Sequence, residues 1–191
     1  MQIFKNILLF ITLAIASLSC DSYTDPLSTR APTLILTEEP TVTGIWMSDV
    51  VGNSLGAWGN PAIPDTSDEY SRVYGTPNPV LEAMTFSFML PKQSNTRVFI
   101  VRAHLAGTQE INSVGGAVMA ESKDIIVRTF PPGTRPAGEF SFTWDGMDDD
   151  GRRLPTGFYR IYVVTQQRVM FFDIYFANSR EEFLPGMPGK N

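Results

Sequence analysis

"FTWDGMDDDGRRLPTGFYRIYVV", residues 142–164, sets an acidic cluster in the middle of a strongly apolar pattern. Four aspartates and an arginine pair stand between two runs rich in aromatic and aliphatic residues. Such a pattern is either strand, turn and strand, or a carboxylate cluster built for a cation or for acid–base chemistry. A calcium loop of the EF-hand kind needs oxygen ligands at its first, third and fifth positions, a glycine at the sixth and a glutamate at the twelfth. Counted from Asp145, the third position is Met147; counted from Asp148, the fifth is Arg152. Neither start fits. The turn reading explains the same residues: aspartates favour tight turns, and Gly146, Gly151 and Gly157 accept positive φ without steric cost. The stretch therefore predicts the wet turn of a β-hairpin, with Trp144 buried at a strand end and Arg152 and Arg153 offsetting local charge. No metal or other cofactor is expected, although weak adventitious calcium binding at the turn stays open.

The sequence on either side continues the strand pattern. Phe140, Phe142 and Trp144 alternate with Ser141 and Thr143, and Phe86, Phe88 and Leu90 alternate with Thr85, Ser87 and Met89. That is the period of a strand with one buried face. "RVFIVRA" (97–103), "KDIIVRTF" (123–130), "FYRIYVV" (158–164) and "VMFFDIYF" (169–176) are β-branched and aromatic runs suited to buried strands. Short strands punctuated by Pro and Gly predict an all-β fold, an antiparallel β-sandwich or a barrel, over residues 73–178. Ahead of it, residues 41–72 read as an N-terminal hairpin, turning at Gly52-Asn53, and a polar loop. "LPGMPGKN" closes the chain, so residues 179–191 read as a flexible tail.

The first residues concern location. Lys5 precedes "ILLFITLAIA" (7–16), an apolar run too short to span a bilayer comfortably, and then "SLSC" (17–20). Residues 1–19 have the layout of a secretory signal peptide. With Cys20 directly behind, they resemble a bacterial lipoprotein signal, in which that cysteine is the lipid attachment site. Such signals usually carry leucine where this chain has Ser17, and the alternative is an ordinary signal with an incidental cysteine. Cys20 is the only cysteine, so an exported chain has no internal disulfide to place it in. Residues 20–40, rich in Ser, Thr and Pro around Leu34 to Leu36, read as a tether. The chain has 191 residues, 43% of them hydrophobic, and a net charge of −5. An acidic balance argues against nucleic acid as a partner.

Residues 74–176 also resemble a known family. "YGTPNPV" (74–80), then "FSFMLP" (86–91), then "PAGEFSFTWDGMDDDGRRLPTGFYRIYVV" (136–164) are similar to the immunoglobulin-like domain of the flagellar hook-capping protein, whose relatives occur in many exported bacterial proteins. The ordered set Trp144, Asp145, Gly146, Gly151, Gly157 and Tyr159 carries most of the likeness, as a structural motif. The resemblance implies an immunoglobulin-like sandwich. The connection after "HLAG" (104–107) is longer than that family's, and within it Asn112, Ser113, Val114, Gly115 and Gly116 form a candidate partner-binding loop.

No nucleophile, base and acid are read together in the chain, so no enzyme is expected; His104, the only histidine, reads as a strand-end residue. The expectation is a non-catalytic cell-envelope protein, lipid-anchored at the outer membrane on its periplasmic or surface face. It would bind or scaffold an unidentified envelope or secreted protein. The alternative is a carbohydrate-binding module of the cell surface that stacks sugars on Trp46 and Trp58, residues that more often belong to a core.

Overall fold

The computed structural model describes residues 34, 36, 39–63, 72–107 and 125–188, all within the unit spanning residues 31–191. Among them run β1 (Thr41–Val42), β2 (Gly44–Ser48), β3 (Ser54–Gly59), β4 (Val73–Thr76), β5 (Met84–Leu90), β6 (Ser94–Leu105), β7 (Ile126–Arg135), β8 (Gly138–Trp144), β9 (Gly157–Thr165) and β10 (Val169–Phe176). A 3-10 turn, Arg180–Glu182, follows. The expected signal peptide, Cys20, most of the expected tether and the loop Asn112 to Gly116 lie outside the described residues.

β4, β5 and β8 form one sheet; β1, β6, β9 and β10 form the other, with β7 also paired to β6. The chain changes sheet between β5 and β6, between β7 and β8, and between β8 and β9, the crossed connectivity of an immunoglobulin-like sandwich. The fold is all-β, as the alternation predicts.

Facing side chains fill the space between the sheets. Phe86 pairs with Phe142 and Phe88 with Phe140 across the β5–β8 ladder, their rings stacked at 5.7 and 5.8 Å. Val98, Ile100, Ile161, Val163 and Ile174 of the second sheet belong to the same buried cluster. β6 and β9 are central strands covered on both faces, which is why their sequences run apolar rather than alternate. On the outer side of the second sheet, Phe99, Val101, Ile125, Tyr162 and Val164 form a further cluster against which Leu34 and Leu36 pack. Leu34 and Leu36 of the expected tether thus rest on the sandwich.

Residues 179–188 depart from their sequence reading, and the hairpin is more deeply packed than expected. The hairpin β2–β3 forms as expected, yet Ile45 and Met47 are buried with Val42, Ala103, Phe158, Tyr175 and Ala177. Phe183 and Met187 complete that cluster at 5% and 2% exposure. Residues 179–188 are therefore packed, not a loose tail. Fully burying a Phe or Met side chain is worth ~1.5–3 kcal/mol, enough to hold a segment that has no ladder of its own.

Candidate interaction site

The aspartate stretch is a turn but not a hairpin. β8 pairs with β5, and β9 pairs with β6 and β10, so residues 145–156 carry the chain from one sheet to the other. A single bridge, Met147 to Arg153, closes the loop on itself. The expectation of a hairpin fails because turn chemistry specifies a reversal and says nothing about which strands then pair.

Every aspartate of the loop is engaged by its own chain. Asp145 Oδ1 accepts the Met147 N–H at 3.1 Å. Asp148 Oδ1 accepts the N–H groups of Asp150 and Arg152, and its Oδ2 accepts Arg152 Nε–H at 2.9 Å. The backbone hydrogen bond from Arg152, with that guanidinium, holds the Asp148 carboxyl below its ordinary pKa. Asp150 pairs with Arg152 at 2.7 Å. Asp149 reaches sideways: its N–H donates to Val127 O and its Oδ1 accepts the Thr129 N–H, so the loop caps the edge of β7. Asp148 and Asp150 share the Arg152 guanidinium while Asp145 and Asp149 take backbone donors, and among the described residues no group of three or more His, Cys, Asp or Glu side chains converges as a metal site.

Trp144, Gly146 and Tyr159 of the family motif have structural positions, and Gly151 takes the positive φ expected of a turn, whereas Gly157 does not. Trp144 is fully buried against Tyr159 and Phe176, with Nε1–H donating to Met147 O at 2.9 Å. Gly146 has φ +75° and lies so close to the Phe176 ring that a Cβ would collide with it. The Tyr159 hydroxyl donates to Pro155 O at 2.6 Å, the back-bonded tyrosine found at the sheet-to-sheet corner of immunoglobulin-like domains. Burial pushes its pKa up to about 12. Arg153 does not offset the aspartates: its guanidinium donates to the carbonyls of Asp145, Glu82 and Leu81 and stands 4.7 Å above the Phe176 ring.

Asn78, quoted in the motif without a role, is the residue sequence reading missed. It is fully buried between two cis prolyl bonds, Thr76-Pro77 and Asn78-Pro79. Its backbone pairs with Ser48, its Nδ2 donates to Trp46 O and Asp173 O, and its Oδ1 accepts the Tyr175 N–H. It ties the hairpin to the edge of β10.

Trp46 and Trp58 do not form a common platform. Ile45 pairs with Trp58, and Trp46 with Ala57, so the two indoles lie on opposite faces of the hairpin. Trp58 packs onto Phe158 at 5.7 Å, as a core residue does. Trp46 is 42% exposed, with its Nε1–H donating to Ala62 O, which corrects its expected core placement.

A pattern missed in the sequence reading, Gly52-Asn53-Ser54-Leu55-Gly56, has the G-x-S-x-G spacing of a nucleophile elbow. Its context is wrong for one. An elbow joins a strand to a helix, whereas Ser54 is the exposed first residue of β3 in a hairpin. His104 is a strand-end residue as expected, hydrogen-bonded to Thr41 Oγ1 at 2.9 Å.

Where the hairpin, the Asn78 turn and the C-terminal segment meet, they leave a cleft of about 760 Å³. Leu55, Pro77, Met84 and Phe183 line its apolar part, with Asp49 and Arg180 among its charged residues. Val50 and Val51 stand beside it at the hairpin tip, each 77% exposed. No described helix is long and apolar enough to cross a membrane.

Known proteins bear on these features as follows. The family model of the FlgD Ig-like domain matches residues 106–168, from the end of β6 through β7, β8 and β9. Among solved structures, the crystal structure of dimeric latent PorU from Porphyromonas gingivalis is similar at 16% identity and a TM-score of 0.35. That likeness covers 69% of this chain and only 12% of PorU. No curated protein matches. With the sheet-crossing loop, the buried tryptophan and the corner tyrosine inside or beside the matched residues, this chain carries an immunoglobulin-like domain of the FlgD type.

Proposed function

We propose that this chain is a non-catalytic, lipid-anchored protein of the cell envelope, at the outer membrane, that binds or scaffolds other envelope or secreted proteins. The observation that carries the reading is the FlgD-type immunoglobulin-like domain, a kind of domain at home in exported proteins. The apolar run 7–16 with Cys20 behind it supports the anchor. The exposed apolar hairpin tip beside the cleft supports a recognition role, since loops on a rigid sandwich can change without cost to its core. The carbohydrate alternative loses its platform with the two tryptophans on opposite faces.

Detergent phase partitioning tests the anchor. The wild type should enter the detergent phase and Cys20→Ala the aqueous phase; if both stay aqueous, the anchor reading fails. Crosslinking in intact cells followed by purification tests the binding role, which predicts a reproducible envelope or secreted protein bound in stoichiometric amount.

A further inference from the structure

The strand edges of this fold are treated unequally. The edge of β7 is capped by Asp149. β3 is broken by Gly56 and Gly59 at φ +94° and +69°, so it offers no flat ladder. β8 presents Glu139, Ser141 and Thr143 to solvent. Proteins protect their edges with such bulges, caps and polar residues, because an open edge recruits another strand.

Among the described residues, β10 is protected over only half its length. Its residues 173 and 175 turn their main-chain groups away from β9: Asp173 O accepts from Asn78, the Tyr175 N–H donates to Asn78 Oδ1, and Tyr175 O accepts the Val80 N–H. Main-chain direction alternates along a strand. The N–H and C=O of Val169 and Phe171 must therefore point the same way, and they have no partner among the described residues. Val169 and Phe171 are also 47% and 42% exposed. Val169 to Phe172 contains no charge, no proline and no glycine.

The side chains beside this open edge extend a surface already built. Phe99, Tyr162 and Phe171 lie in one register row across β6, β9 and β10, with ring centroids 5.5 and 6.3 Å apart. The row is buried at Phe99 and opens to solvent at Phe171. Arg160 lies 4.2 Å over the Phe171 ring, its charge met by Asp173 through bonds of 2.5 and 2.9 Å.

We propose that Val169 to Phe172 is a strand-addition site, which accepts an uncharged extended segment of a partner polypeptide with apolar side chains at alternate positions. The proposal rests on the reading of the chain as a binding protein and gives its mode of recognition. Main-chain hydrogen bonds supply affinity, and the alternate side chains that land beside Val169 and Phe171 supply selectivity. The occupant follows from the edge itself. Residues 78–80 already fill the other half of the same edge, in parallel with β10, so the strand is shaped to be paired. A charged segment would meet an edge without charge and a neighbouring ion pair that is already neutralised.

The test uses the purified full chain and the probe acetyl-Thr-Val-Thr-Val-Thr-Val-amide, read by residue-resolved hydrogen exchange. At a tenfold excess over Kd, the amides of Val169 and Phe171 should exchange about tenfold more slowly. The same peptide N-methylated at alternate residues should give no protection. Val169→Pro removes an outward N–H at the first residue of an edge strand, where proline is tolerated. It should abolish protection at Phe171 and leave the melting temperature near wild type; Phe171→Lys should do the same. Absence of selective protection at about 1 mM peptide overturns the proposal. So does protection that rises with protein concentration alone, together with a dimer in sedimentation, because a second copy would then own the edge. A failed anchor test at Cys20 leaves this result untouched, and a failed peptide test leaves the envelope reading standing.

Discussion

Asn78 Oδ1 accepts the backbone N–H of Tyr175 at 3.1 Å, between residues 97 positions apart in the chain and both buried. The same carboxamide donates to Trp46 O and Asp173 O, so one side chain joins the hairpin, the prolyl turn and the last strand. Asn78→Ala leaves these main-chain groups without their partner. Each buried unsatisfied group costs ~1–3 kcal/mol, and with partial rescue by water the expected loss is about 2–4 kcal/mol. Denaturant unfolding measures it; a loss below about 0.5 kcal/mol would show that the junction is not structural.

Trp144 and Trp46 should behave oppositely. Trp144 is fully buried between Tyr159 and Phe176, and truncating such a side chain costs ~3–5 kcal/mol of a domain's typical ~5–15 kcal/mol. Trp144→Ala should yield little soluble protein or a strongly lowered melting temperature. Trp46→Ala loses one exposed hydrogen bond and the buried part of a side chain that is 42% exposed, and should cost clearly less than Trp144→Ala. Equal losses at the two sites would contradict the placement of both indoles.

The Asp148 carboxyl is held below its ordinary pKa by the Arg152 N–H and guanidinium. Its contribution to stability is therefore fully present above the unfolded value near 3.9 and is lost as pH falls through the lower folded value. Asp148→Asn should melt below wild type at neutral pH, and the gap should close on acidification. A gap that widens toward acid has the wrong sign for this loop.

Calcium should make no difference to that loop, because each of its carboxylates already has a partner in the chain and they do not converge. Melts in calcium and in chelator should coincide. A bound ion at a hundredfold excess over Kd would add ~2.7 kcal/mol, and a shift of that size abolished by Asp148→Asn would reinstate a metal site.

Removing residues 180–191 strips Phe183 and Met187 from the cluster that holds Val42, Ile45 and Tyr175. At ~1.5–3 kcal/mol for each buried side chain, the truncated chain should lose about 3–6 kcal/mol. That sum is an upper estimate because unfolded chains bury part of the same surface. Urea titration reads the loss directly, and unchanged stability would restore the loose tail read from the sequence.

The amino-acid sequence by itself determined what is local. Alternation in 84–90 and 138–144 specifies strands with one buried face, because side-chain direction has period two. The apolar runs of β6 and β9 mark strands covered on both sides. Turn chemistry marks residues 145–156, and the order Trp144, Asp145, Gly146, Gly151, Gly157 and Tyr159 marks the family resemblance. Tertiary structure alone decided what depends on partners distant in the chain. Strand pairing turned the expected hairpin at Asp148 into a crossing between sheets, since the hydrogen bonds of β8 and β9 are satisfied by β5, β6 and β10. It set Trp46 and Trp58 on opposite faces, because antiparallel register fixes which residues share a side. It drew Phe183 and Met187 into a core, since apolar side chains bury wherever another surface offers contact, with or without regular secondary structure. It also left the main-chain groups of Val169 and Phe171 without a partner among the described residues, because residues 78–80 reach only the C-terminal half of the β10 edge.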